Sequence, residues 1–152
     1  MTKLKVGDTA PSFKDIPDGK GNLHSLENYA GKILVLYFYP KSFTPGCTKQ
    51  ACEFRDKYEA FSEAGAVVIG VSSDSQDSQS KFQDKYRLPF PILSDNKGEL
   101  AKLYGVEKEL LILPGRTTFI IDKDQKIAHT YTNMFKATSH IDESLKIIEK
   151  LK

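Results

Sequence analysis

The apolar positions of this chain fall into short runs whose spacing changes along its length, and each change predicts an element. Ile33-Leu-Val-Leu-Tyr-Phe-Tyr39 is unbroken and β-prone, the pattern of a central strand covered on both faces, and Pro40 stops it. Ala66-Val-Val-Ile-Gly-Val71 predicts a second buried strand. Between the two, Thr44 is a good N-cap and Pro45 a favoured first helical residue, so a helix should start there. It should run to about Glu63 and end before Gly65. Ser75 to Tyr86 reads as a helix, and Glu99–Tyr104 as a short one. Thr117-Thr-Phe-Ile-Ile121, the turn residues Asp122 to Gln125 and Lys126-Ile-Ala-His-Thr-Tyr131 predict a β-hairpin. Ile141, Leu145, Ile148 and Leu151 share one side of a closing amphipathic helix, Ile141–Leu151. Ahead of these, residues 1–25 are rich in Gly, Pro and Asp, and the extended pieces Phe13–Ile16 and Leu23–Ser25 fit a small hairpin. The order β-α-β-α, then hairpin, then α predicts an α/β fold, a mixed sheet with helices on both faces. That order fits several folds and assigns no function.

Length and charge narrow the field. The 152 residues suit a single domain, 1–152, with a self-sufficient core. Lys and Arg number 22 against 20 Asp and Glu, a net charge of +2. Acidic and basic residues alternate without a basic block, so neither nucleic acid nor a membrane is expected as partner. No run approaches the ~18–20 apolar residues of a membrane span. Met1 to Asp8 lacks a signal-peptide core, which makes a cytoplasmic location the default expectation, or an organelle if a transit peptide was removed.

The cysteines carry the chemistry. Cys47 and Cys52 are the only two, five positions apart. A bridge between them would close a tiny loop and constrain the unfolded chain little, so the pair makes more sense as chemistry than as a staple. Cys47 falls in the first turn of the predicted helix, where unpaired N–H groups and the positive end of the helix dipole favour an anion. The thiolate is the reactive form of cysteine. Gly46 has no side chain to block approach to the sulfur, which should be open to small oxidants. In an intact helix, residues five apart have Cα atoms roughly 8–9 Å apart and side chains about 140° apart. A disulfide needs Cα atoms within about 7 Å. Pairing therefore requires the first turns to unwind. These constraints suggest a cycle in which Cys47 is oxidised to a sulfenic acid, the helix start melts, and Cys52 condenses with it. An external dithiol protein would then reduce the bridge by exchange.

Pro40-Lys-Ser-Phe-Thr44-Pro-Gly-Cys47 matches the Pro-x-x-x-Thr-x-x-Cys signature, and the chain resembles the peroxiredoxins. The following Thr-Lys-Gln-Ala-Cys52 looks like the branch called PrxQ or bacterioferritin comigratory protein. The resemblance extends to Val6-Gly7-Asp8-x-Ala10-Pro11-x-Phe13, Gly70-Val-Ser-x-Asp74 and Arg116-Thr-Thr-Phe-Ile-Ile-Asp122. It implies a thioredoxin-like fold with an N-terminal hairpin extension. The implied substrates are hydrogen peroxide and organic hydroperoxides, and the implied reductant is thioredoxin or a glutaredoxin-like protein. It implies that Cys47 is the peroxidatic cysteine and Cys52 the resolving one. Thr44 would offer its hydroxyl to bound peroxide, Pro40 would shield the sulfur from water, and Arg116 would hold the thiolate and the peroxide oxygens. No metal or organic cofactor is implied. An internal resolving cysteine removes the need for a dimer, so a monomer is expected. Two positions depart from the pattern: Gln50 stands where many relatives carry Glu, and Phe43 where a polar residue is usual. Phe43 could shape an apolar rim suited to bulkier hydroperoxides.

Other readings compete less well. Arg55 and Arg87 read as ordinary solvated charges, and His24, His129 and His140 as surface or structural residues away from ligand spacing. A phosphatase signature would need Arg six residues after the cysteine, where Glu53 stands. A redox-sensing or holdase module using the same disulfide is the second reading. A thioredoxin-type oxidoreductase comes last, because Cys-x-x-Cys is missing.

Overall fold

A computed structural model describes residues 4–106, 108–109, 113–114, 116–133 and 136–151. The chain opens with the expected hairpin, β1 (Ile16–Pro17) against β2 (Leu23–His24), shorter than the extended pieces predicted, and a 3-10 turn at Leu26–Tyr29. Phe13 lies outside the hairpin and is buried in the core. The strand β3 (Ile33–Phe38) then leads through a loop into α1 (Pro45–Asp56) and α2 (Tyr58–Glu63). After these come β4 (Ala66–Ser72), α3 (Gln76–Tyr86), β5 (Ile92–Ser94) and α4 (Glu99–Leu103). A two-residue ladder, β6 (Lys108–Glu109) with β7 (Leu113–Pro114), precedes the hairpin β8 (Thr117–Ile121) and β9 (Ile127–Thr132). The last helix is α5 (Ser139–Leu151).

Five strands form one mixed sheet in the order β5-β4-β3-β8-β9. β3 is parallel to β4 and antiparallel to β8, so it lies at the centre, and all six of its residues are buried. Alternation along this strand builds two cores. Ile33, Val35 and Tyr37 face a cluster with Phe54 of α1, Phe61 of α2, Phe82 of α3 and Ile141 and Ile148 of α5. Leu34, Leu36 and Phe38 face the other cluster, with Leu26, Phe119, and Leu100 and Ala101 of α4. Helices therefore cover both faces, as the order of elements predicts.

Two local features differ from the sequence reading. The single helix expected from Thr44 to Glu63 breaks at Lys57, whose backbone (φ −104°, ψ 11°) leaves the helical region. A straight helix would place residues seven apart about 10.5 Å along its axis. The break lets the rings of Phe54 and Phe61 meet at 5.5 Å. The second feature is β5, a three-residue strand just after Pro91, too short to show alternation.

Phe54 ties the reactive helix to the sheet: its ring stacks on Tyr37 at 4.5 Å and meets Phe90 edge-on at 6.3 Å. Phe54→Ala should cost roughly 3–5 kcal/mol in urea unfolding. A loss below about 1 kcal/mol would contradict this anchoring role.

Candidate active site

The loop after β3 sets the site. The backbone N–H of Tyr39 still donates to Val71 (3.0 Å), but Pro40 has no N–H and turns the chain out of the sheet. Pro40 is buried and Phe43 takes the left-handed backbone at φ 69°. Thr44 occupies the cap position of α1, as expected, but its side chain does not cap the helix. Its hydroxyl donates instead to the Lys41 carbonyl at 2.7 Å. The first helical hydrogen bond runs from the Thr48 N–H to the Thr44 carbonyl at 2.8 Å. The N–H groups of Gly46 and Cys47 thus precede the helical ladder and point their partial positive charge out of the helix start.

Arg116 reaches this point from far along the chain. Antiparallel pairing of Phe38 with Thr117 places residue 116 beside the end of β3. From there its Nη2 donates to Cys47 Sγ at 3.3 Å, and its Nη1 donates to Gln50 Oε1. Cys47, Gln50 and Arg116 are all buried. The arrangement converges a guanidinium and the positive end of a helix on one sulfur. Gln50 lies one turn beyond Cys47 on the same face, and its Nε2 has no partner among the described residues.

Cys47 is more enclosed than the sequence suggests. Only 2% of its surface is exposed. The reason lies in Gly46: a Cβ there would sit 3.3 Å from Arg116 Nη2, so the space it leaves is taken by the guanidinium. The missing side chain admits Arg116 against the helix start.

Cys52 lies on the same unbroken α1, half-buried, and both cysteines are free thiols. Burial pushes the Cys52 thiol up from its ordinary value, Arg55 pulls it down and Asp56 pushes it up again. Arg55 itself donates to the Tyr86 carbonyl at 2.7 Å and pairs with Asp56, and Arg87 ends α3. Among the described arginine contacts, only that of Arg116 reaches Cys47. The histidines also lie elsewhere: His24 bonds Asp18 and Tyr29, and His129 bonds Glu143.

His140 is fully buried and supports the Arg116 strand. Its Nε2 lies 2.9 Å from the Asn133 carbonyl, so that nitrogen carries the proton, and Nδ1 accepts from Thr118 Oγ1 at 2.8 Å. The Asn133 N–H in turn donates to the Arg116 carbonyl at 3.3 Å. Sequence reasoning also missed a polar cluster under the loop, Ser42 with Gln79. Its one signal is an amide three residues before Phe82, on the face of α3 that packs into the core.

A cysteine at a helix start, held by an arginine from the neighbouring strand of a five-stranded mixed sheet, defines the thiol-dependent peroxidases of thioredoxin-like fold. The chain belongs to the AhpC/TSA family, whose model matches residues 6–130. It is 47% identical to chloroplastic peroxiredoxin Q of Sedum lineare, over 100% of this chain and 82% of that one. Chloroplastic peroxiredoxin Q of Populus jackii is also 47% identical, over 99% of this chain and 71% of its own. Among solved structures, the peroxidoxin BcpB of Mycobacterium tuberculosis aligns with a TM-score of 0.90 at 38% identity, covering 98% of this chain and 99% of that one. PrxQ of Xylella fastidiosa, solved as a cysteine-to-serine mutant, aligns at 0.90 and 30% identity, covering 99% and 98%. The chain is therefore a peroxiredoxin, an oxidoreductase that reduces peroxides through a thiol, of the PrxQ or bacterioferritin comigratory protein branch.

Burial pushes the His140 ring down to about 4 from its ordinary 6.5; the hydrogen bond to Asn133 pulls it up and the Arg116 charge pushes it down. The unfolded chain therefore takes up a proton between pH 6.5 and 4 that the folded protein refuses. Stability present above pH 6.5 is lost as the pH falls through this window, on the order of 3 kcal/mol for this group. Urea unfolding of the wild type should weaken across that window more than that of His140→Gln. Equal slopes in the two proteins would rule out this ring as the cause.

Proposed function

We propose that this peroxiredoxin reduces hydroperoxides through a Cys47 sulfenic acid, which Cys52 resolves within the same chain. The observation that carries the reading is the 3.3 Å contact from Arg116 Nη2 to Cys47 Sγ at the start of α1. The Cys47 thiolate attacks the distal oxygen of the peroxide; an S–O bond forms, the O–O bond breaks, and the alkoxide or hydroxide leaves with a proton as alcohol or water. Arg116 and the first N–H groups of α1 stabilise the charge on the oxygens as it shifts. Thr44 Oγ1, with its own proton on the Lys41 carbonyl, presents lone pairs to the peroxide O–H. Pro40 excludes water from the sulfur.

Resolution requires the first turns of α1 to unwind, because the intact helix holds the two Cα atoms roughly 8–9 Å apart. Cys52 then condenses with the sulfenic acid, releasing water and forming the disulfide. Burial, which favours the neutral Cys52 thiol, is relieved by the same unwinding, so Cys52 becomes a better nucleophile as it approaches. A dithiol protein such as thioredoxin, or a glutaredoxin-like one, returns both cysteines to thiols and leaves with the disulfide. Because Cys52 lies on the same helix, the cycle needs no second subunit, and the protein acts as a monomer.

Organic hydroperoxides belong among the substrates. Phe43 is 42% exposed beside Phe82 and Tyr86, giving the loop an apolar edge. Bacterioferritin comigratory protein of Xanthomonas campestris, 29% identical, is described by its alkyl peroxide reduction activity. The plant relatives are named chloroplastic, which supports an organellar setting beside the cytoplasmic default. No helix among the described residues is long and apolar enough to cross a membrane.

Cys47→Ser should abolish peroxide consumption. Cys52→Ser should keep one stoichiometric oxidation and lose turnover driven by thioredoxin; normal cycling of that variant would remove Cys52 from the resolving role. Arg116→Ala should slow the first oxidation on the order of a hundredfold at neutral pH. Stopped-flow rates that match the wild type across pH would contradict the assignment of Arg116.

A further inference from the structure

The loop carrying Pro40 and Thr44 is pinned to α3 by a hydrogen-bond cluster that takes no part in the chemistry. Ser42 is held twice. Its N–H donates to Asp74 Oδ2 at 2.8 Å, and its hydroxyl donates to Gln79 Oε1 at 2.7 Å. The Tyr39 hydroxyl lies 2.8 Å from Ser42 Oγ and 3.3 Å from Gln79 Oε1. Gln79, fully buried on α3, spends its amide N–H groups on Ser72 Oγ and the Leu93 carbonyl, each at 2.8 Å. Ser72 Oγ donates to the same Asp74 oxygen at 2.6 Å. The amide orientation follows from the Leu93 carbonyl, which only accepts and so takes the N–H end, leaving Oε1 to the Ser42 hydroxyl.

The next residue tells the same story. Phe43 is a non-glycine residue at φ 69°, a conformation that costs on the order of a kilocalorie and persists only where its surroundings impose it. Here they do so from both sides: Ser42 is pinned, and the Phe43 ring rests edge-on against Phe82 at 5.1 Å. Beyond Phe43 the restraints thin out. Thr44 does not cap α1, and Pro45 and Gly46 are exposed. The next ties are those of Arg116 to Cys47 and Gln50, followed by the buried Ala51 and Phe54 and by Arg55 on the Tyr86 carbonyl.

We propose that Ser42 and Gln79, with Asp74, are positioning residues that fix the N-terminal limit of the segment that unwinds. This rests on the resolving role proposed for Cys52. While the clamp holds, Pro40 and Thr44 stay placed around Cys47 and the folded site persists. Loosening it extends the fraying into the loop, which lowers the population able to attack peroxide and favours the unwound state. The sulfenic acid has two fates that depend on this balance. In the unwound state Cys52 condenses with it and releases water. In the folded state a second peroxide transfers one oxygen to it, giving the sulfinic acid and an alcohol or water. The clamp therefore biases the protein towards fast first attack at the expense of greater over-oxidation.

Rapid-quench oxidation followed by alkylation and mass spectrometry reads both steps. Loss of one net buried hydrogen bond corresponds to about a five-fold change in the folded-to-unwound ratio. Ser42→Ala should lower the sulfinic-to-disulfide ratio about five-fold and slow sulfenic acid formation by less than that, since the first attack follows the folded fraction. Gln79→Met, which also cuts the Ser72 and Leu93 bonds, should lower the ratio at least as much. Ser75→Ala is the control for simple destabilisation: it removes the cap of α3, where Ser75 Oγ accepts from the Ser78 N–H at 3.2 Å, and leaves the loop contacts intact. It should lower the melting temperature and keep the wild-type ratio. An unchanged ratio in Ser42→Ala, or the same change in Ser75→Ala, overturns the clamp. Should Gln79→Met not fold, Ser42→Ala, the smaller cut, decides. If the wild type itself forms no Cys47–Cys52 bridge, the resolving role fails and takes the clamp with it; a bridge without a change in ratio sinks the clamp alone.

Discussion

Helical geometry is the constraint on which the rest depends. Cys47 and Cys52 lie on one continuous helix, α1, and residues five apart on such a helix cannot be bridged. The folded helix builds the site for attack, because its first turn aims N–H groups and Arg116 at one sulfur. The same helix prevents the next step. The protein must therefore be stable in the folded form and yet release a few residues of it cheaply, and the remaining structure divides that labour between two ends.

At the C-terminal end α1 is bound firmly. Phe54 is enclosed by Tyr37, Phe61 and Phe90, and Arg55 is tied to the end of α3. At the N-terminal end the ties belong to the loop before the helix. The helix start itself has an uncapping threonine, a proline and a glycine, and depends on contacts with Arg116 through Cys47 and Gln50. Oxidation of Cys47 changes one of those contacts at once. The first turns of α1 are thus the weakest part of a well-anchored element, which is where local opening is expected to concentrate.

Most of the fold was legible because its elements are punctuated. Pro40, Gly65 and the run Ile33 to Tyr39 mark the central strand and the helix that follows it. The break at Lys57 carried no such mark: nothing at that position disfavours a helix, and the turn answers to the packing of Phe54 against Phe61. Cys47, Thr44, Pro40, Cys52 and Arg116 were all legible as a motif, and the sheet register brings Arg116 to Cys47. The enclosure of Cys47 was not. Gly46 reads as an opening in the sequence, and only the approach of Arg116 across the sheet turns it into a filled one. Ser42 and Gln79 meet across 37 positions, and neither residue type announces burial.

Amide hydrogen exchange across α1 tests the unwinding most directly. In the reduced protein the N–H groups of Ala51 to Asp56 should exchange slowly as part of one helix. After one equivalent of peroxide and formation of the bridge, the N–H groups of Ala51 to Asp56, whose helical acceptors are the carbonyls of Cys47 to Cys52, should exchange quickly while β3 keeps its protection. A bridged protein whose α1 remains as protected as in the reduced form would contradict the account.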